Sequence, residues 1–262
     1  MNRGFLPCCG VLLAVALLVV GCSRGPSDEE LALTALQTQL DEIRQVATTL
    51  KQARTDLEAK KASRAALEAV AENKRSAEQS QQLARLVAQI DQSTGTATLI
   101  YEDLQTRLQA FLTTALNDFP NAPMTAAGLV VYAEEAVLNA GETVTAAGDY
   151  AKAIETLETA KGYYDAIGLA PHQPLLDKLA ELTSWRFITK ERFDAVKKGM
   201  SPDQVKAIVG VPYFRNIKKD EAAGVTYWLY SKTEGGAAAI YFDKKDKVYE
   251  MNWDAVRIRV AE

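Results

Sequence analysis

Apolar residues are spaced along this chain in three different ways. Gly10 to Val20 is an unbroken apolar run, and from Leu31 the spacing becomes helical. Leu36, Leu40, Ile43, Ala47, Leu50 and Leu57 recur three or four positions apart, with Arg54 standing where the next apolar residue is due. Such a stripe is the seam of a coiled-coil or bundle helix. It fails at Lys61 and Arg64 and resumes with Leu67 and Val70, then with Leu83, Leu86, Val87 and Ile90. The intervening Ala, Gln, Glu, Lys and Arg are good helix formers, so helix is predicted throughout. Asn73 to Gln82 reads either as a hairpin turn or as a polar turn of one long helix. Ser93-Thr94-Gly95-Thr96 is expected to break the pattern, which makes residues 31–95 an amphipathic, coiled-coil-like arm.

Leu99, Ile100, Leu104, Leu108, Phe111, Leu112 and Leu116 rebuild a broad apolar face, which Pro120 and Pro123 end. Thr125 is placed to cap a helix carrying Leu129, Tyr132, Ala133, Ala136, Val137 and Ala140. After it, Ala140-Gly141, Gly148-Asp149-Tyr150, Ala153-Ile154, Leu157 and Ala160 resemble one tetratricopeptide unit. Gly141, Ala153 and Ala160 are small where two helices would cross, and Gly148-Asp149 would turn the chain and cap the second helix. Asp165 stands where that repeat has a proline, and such units need about three copies to bury their faces, so the lone unit reads as a local helical hairpin. A last helix bears Leu175, Leu176, Leu179, Leu182 and Trp185, which closes a helical bundle over 96–187.

From Phe193 the pattern changes again. Ser201-Pro202-Asp203-Gln204 is a capping box, Gly199 suits a left-handed helix end, and Gly210 with Pro212 stops the short helix that buries Val205, Ile208 and Val209. Three strands rich in Val, Tyr, Trp and Phe follow, Val225 to Ser231, Ala237 to Phe242 and Lys247 to Trp253. Alternation sets Tyr227, Leu229 and Ser231 on one face and Thr226, Trp228 and Tyr230 on the other. The expected fold class is α+β: an N-terminal helical region of coiled-coil, bundle and helical-hairpin character, then a small domain of two helices on a three-stranded antiparallel sheet.

The apolar run at the start takes its meaning from what flanks it. Arg3 precedes it and Val19-Val20-Gly21-Cys22 ends it, the layout of a secretory signal too short to span a bilayer. Those four residues resemble the lipobox of bacterial lipoproteins. The resemblance implies cleavage between Gly21 and Cys22, with diacylglycerol and an N-acyl chain on Cys22 as the covalent lipid. Ser23 in place of aspartate implies the outer membrane, facing the periplasm. Residues 1–21 are then the signal peptide and 22–30 a tether. Of the three cysteines, Cys8 and Cys9 leave with the signal and Cys22 is consumed, which excludes a disulfide framework or a cysteine metal site. Loss of Arg3 moves the net charge from -4 to -5, and mild acidity gives no basis for nucleic-acid binding. The order of segments sets the helical arm nearest the membrane and the C-terminal domain farthest from it.

The C-terminal residues Gly199-Met200-Ser201, Gln204-Val205, Ile208, Gly210, Pro212, Trp228 and Tyr230, followed by an aromatic strand and a second hairpin, resemble the SmpA/OmlA (BamE-like) domain. The domain is assigned to 190–262. The resemblance implies a binding module without catalysis, with other envelope proteins as partners, the β-barrel assembly machinery among them. Two alternatives stand beside it: a spacer bound non-covalently to peptidoglycan, and an inhibitor or ligand-binding module, since the domain is similar to the β-lactamase-inhibitor fold.

Candidate chemistry is sparse. His172 is the single histidine and lies between prolines, so a histidine relay or zinc site lacks partners. Glu134 and Glu135 are adjacent on a helix and point apart, and Gly235-Gly236 leads into no helix that would cradle phosphate. The expectation is therefore no enzyme, no metal and no cofactor beyond the lipid. Lys218-Lys219 and Lys244 to Lys247 read as basic loops, and Trp228 and Tyr230 as the candidate partner surface.

Overall fold

The computed structural model describes residues 26–221 and 224–256. Cys22, the cleavage position at Gly21 and the signal run lie outside the described residues.

Helix α1 spans Asp28–Glu68 and starts inside the expected tether. Ser27 and Glu30 form a reciprocal capping box there, and three acidic residues fill the first turn. Leu36, Leu40, Ile43, Leu50 and Leu57 are buried as the stripe requires. The choice between rod and hairpin is resolved as a hairpin. Arg75 folds back so that Nε donates to the carbonyls of Leu67 and Val70 and Nη2 to that of Glu68, satisfying acceptors that the end of α1 leaves open. Ser76 and Gln79 then form a second capping box that starts α2, Ala77–Asp118.

The break expected at Ser93 to Thr96 does not occur, because α2 runs through it. Thr94, Thr96 and Thr98 return their hydroxyls to the carbonyls four residues earlier, so these polar side chains stay within the helix. Buried Ile90 and Ala97 on either side add packing that outweighs the cost of one glycine, about 1 kcal/mol.

Helix α3 spans Pro123–Ala147 and is capped by Ala122 without a side-chain bond. Thr125, the expected cap, is buried instead and donates to the Phe119 carbonyl at 2.6 Å, tying the turn together from inside. Gly148 ends α3 in the left-handed conformation and Asp149 accepts from the Lys152 N–H to start α4, Tyr150–Ala166, as read from the sequence. Ala140, Ala153 and Ala160 are fully buried, but Gly141 is not at a close crossing; an added Cβ there would meet only the Lys178 chain at 4.0 Å. The close approach is at Gly128, where the Phe111 ring fills the space a methyl would need. Helix α5, Gln173–Trp185, completes the bundle and buries Leu175 and Leu182.

The arm is not a stalk in front of this bundle. Arg54 of α1 bonds Glu135 of α3, and Tyr101 of α2 accepts from Asn139, so the hairpin lies alongside α3. One apolar core runs from Leu36 through Leu104, Phe111 and Leu129 to Leu157 and Leu175.

Two short helices, α6 (Lys190–Ala195) and α7 (Pro202–Val209), cover one face of an antiparallel meander. The sheet has four strands, not three: β1 Ile217–Asp220, β2 Val225–Ser231, β3 Ala237–Phe242 and β4 Val248–Val256, in that spatial order. β1 went unread because Ile-Lys-Lys-Asp carries no alternation; backbone pairing to β2 holds it. The Ser201–Gln204 capping box is present and Gly210 ends α7, both as expected, whereas Gly199 has its positive φ in the turn beyond α6, whose cap is Val196.

Candidate interaction surfaces

The pleat of β2 decides which aromatic rings the domain shows. Trp228 pairs with Ile240 and Tyr230 with Ala238, and all four point into the core beneath α6 and α7. The Trp228 ring lies 4.5 Å from that of Phe242, and Tyr230 Oη donates to the Gly210 carbonyl. Burial drives the Tyr230 hydroxyl well above its ordinary pKa. Trp228 and Tyr230 are only 6% and 7% exposed, so the surface role expected of them is corrected to one in the core.

The open face belongs to the other set. Tyr227 and Tyr241 lie 5.5 Å apart between ring centres and Tyr241 and Tyr249 6.2 Å apart, forming a row across β2, β3 and β4. Burial, then the Glu250 carboxylate and the neighbouring tyrosines, raise the Tyr241 hydroxyl above its usual pKa. The alternation of β2 already set Tyr227 apart from Trp228. Joining it to Tyr241 and Tyr249 required the strand register, which is not written locally.

Three lysine-bearing segments converge at one end of this sheet. Lys218 and Lys219 stand on β1 opposite Tyr227 and Thr226. The Lys244 chain lies against Gly224 in the β1–β2 turn. The Lys197-Lys198-Gly199 turn is bonded to the start of β4, Gly199 N–H donating to Val248 O and Val248 N–H to Met200 O. In the β3–β4 turn, Asp243 Oδ1 accepts from the amides of Lys247 and Lys245, which holds that carboxyl below the usual carboxylate range.

The opposite end of the sheet is docked on the helical bundle. Ile188 N–H donates to Ser231 O at 3.0 Å, Val211 N–H donates to Tyr150 Oη at 3.2 Å, and the Pro212 carbonyl rests on Gly148. Arg192 stacks on Trp185 at 3.8 Å and donates to the Ser184 carbonyl. Only a small cavity of about 50 Å³ remains there, lined by Tyr150, Trp185, Val211 and Leu229 among others. A wider groove of about 840 Å³ opens between the hairpin and the end of α3, with Leu57, Ala97 and Tyr101 on its wall and the Arg54 ion pairs beside it.

The remaining candidates do not gather. His172 precedes α5 and makes no capping bond. Glu135 is buried against Arg54 while Glu134 is exposed, so the two carboxylates do point apart. Gly235 and Gly236 both have positive φ in the β2–β3 turn. Among the described residues no three His, Cys, Asp or Glu side chains come together as a metal site, and no helix is long and apolar enough to cross a membrane.

Residues 186–258 match the family model described as the outer membrane protein assembly factor BamE domain. That stretch is a BamE (SmpA/OmlA-like) domain, preceded here by a helical region. Within that stretch Ile188 makes a parallel bridge to Lys232, just past the end of β2. No curated protein and no solved structure matches the chain.

Proposed function

We propose that this chain is a lipid-anchored lipoprotein of the outer membrane, facing the periplasm, whose BamE domain acts as a protein-binding module in outer-membrane protein assembly or envelope integrity. The observation that carries the reading is the BamE domain at 186–258. The lipobox-like Val19-Val20-Gly21-Cys22 supports the anchor. The helical region acts as the mount. Arg54, which meets Glu135, lies 26 residues beyond Asp28, a rise of ~39 Å at 1.5 Å per residue, so the bundle carries the docked domain well away from a tether at Cys22. On this reading the BamE domain works by contact rather than by turnover.

Two experiments test this. A photo-crosslinking residue at Tyr241, on the open tyrosine row, should capture envelope proteins in cells, assembly subunits among them; capture of wall-bound proteins alone would turn the reading to the spacer. Cys22→Ser should release the protein from the membrane fraction, and a variant that stays membrane-bound removes the anchor.

A further inference from the structure

β1 is an edge strand, paired on one side to β2 from Ile217 opposite Trp228 to Asp220 opposite Val225, and exposed at all four residues. Unpaired amides and carbonyls along such an edge are a template for another strand, and short length with lysine is a common protection against unwanted pairing. Two observations go beyond protection. Exposed apolar side chains sit at the start of this edge, Phe214 at 51% and Ile217 at 37%. Lys218 and Lys219 follow them on the edge, and Lys244 lies at its far end against Gly224; none of these three joins an ion pair among the described residues.

We propose that the β1 edge is a docking site for an extended acidic polypeptide segment, which adds as a fifth strand with carboxylates opposite Lys218 and Lys219 and an apolar side chain against Phe214 and Ile217. Strand addition uses the backbone groups as well as the charges, whereas a lipid headgroup or glycan would use the lysines and leave the edge unpaired. A second copy of the chain is disfavoured, since antiparallel pairing of two β1 edges centred on the lysines sets like charges opposite one another. The stretch Arg257-Ile258-Arg259-Val260-Ala261-Glu262 sets two arginines against one glutamate and has the wrong sign.

The inference deepens the reading of the domain as a protein-binding module, and it is tested on the purified chain, apart from any capture in cells. Lys218 and Lys219 are consecutive and face opposite sides of the sheet, so the full chain in detergent is titrated into a labelled eight-residue Val peptide with a central Glu-Glu pair, followed by fluorescence anisotropy. Saturable binding is expected. The double substitution Lys218→Glu/Lys219→Glu should weaken it at least about tenfold, the sum of two exposed charge pairs, and should favour a Val peptide with a central Lys-Lys pair instead. The Glu-Glu peptide methylated at alternate amides should also weaken at least about tenfold with the unaltered protein, because it cannot complete the ladder. That arm needs no protein variant, so a folding defect in the double substitution leaves the test intact. Absence of saturable binding overturns the proposal. So does binding that ignores amide methylation, or uptake of phosphatidylglycerol vesicles without any binding of the peptide.

Discussion

Arg54 Nη1 lies 2.8 Å from Glu135 Oε2, joining α1 to α3 at the polar position that interrupts the stripe between Leu50 and Leu57. The Glu135 side chain is 6% exposed and the Arg54 side chain 18%, while the second partner, Glu142 at 3.2 Å, is open to solvent. Arg54→Leu repairs the apolar period but leaves Glu135 buried without its cation, and a cost of about 3–5 kcal/mol is expected in urea unfolding. Glu142→Gln should cost no more than about 1 kcal/mol. The pair Arg54→Leu/Glu135→Leu should recover most of the loss. Equal stability of Arg54→Leu and the parent would mean that this ion pair does not clamp the hairpin to the bundle.

Gly148 performs two tasks where Gly168 performs one. Both have positive φ, but an added Cβ at Gly148 would overlap the Pro212 carbonyl, while at Gly168 it would meet nothing within 4 Å. Gly168→Ala therefore carries only the left-handed penalty, about 1–2 kcal/mol. Gly148→Ala carries the same penalty and also pushes the BamE domain off its seat. Limited trypsinolysis should then cut faster after Arg186, between α5 and α6, in Gly148→Ala and not in Gly168→Ala. Equal cleavage of the two variants would show that the Pro212 contact does not lock the domains.

Tyr164 is buried in the bundle, and its hydroxyl has no hydrogen-bond partner among the described residues. Burial, with Glu134 nearby, pushes its pKa up to about 12, against about 10 for an unfolded chain. The unfolded state thus releases this proton first. Stability is full below pH ~10 and falls as pH rises from there through ~12, because the folded state then holds more protons than the unfolded one. Tyr230, raised well above its ordinary value by burial, acts in the same direction. Tyr164→Phe should be neutral or stabilising by up to about 1 kcal/mol at pH 7 and should flatten the alkaline fall. A large loss at pH 7 would reveal a partner for the hydroxyl.

These pairs also show where the sequence was readable. The α1 stripe, the caps at Ser201 and Asp149 and the stop at Gly210 are local, since period and capping act within a few residues, and they stand as expected. The partner of Arg54 is 81 positions away, and the tyrosine row depends on the register of three strands, so neither leaves a local trace. Trp228 and Tyr230 were assigned to a face correctly, but which face the helices cover is decided by Phe193, Val196, Val205 and Val209 packing on it. β1 is the reverse case, a strand without an apolar pattern that backbone pairing to β2 holds in the sheet.

Gly95 poses the sharpest disagreement between local signal and fold, and it can be tested by stability alone. Within a continuous α2 an added Cβ at Gly95 would meet nothing within 4 Å, so Gly95→Ala gains helix propensity without a clash. A stabilisation of about 0.5–1 kcal/mol is expected. The same substitution at Gly128 of α3 should do the opposite, costing about 1–3 kcal/mol, because the Phe111 ring occupies the space. Both are glycines inside helices, so propensity alone predicts the same sign for each, and only packing separates them. Thermal unfolding of the two variants settles it. A fall in stability for Gly95→Ala would mean that the chain needs glycine's freedom there, and would restore the break that the Ser93 to Thr96 stretch suggests.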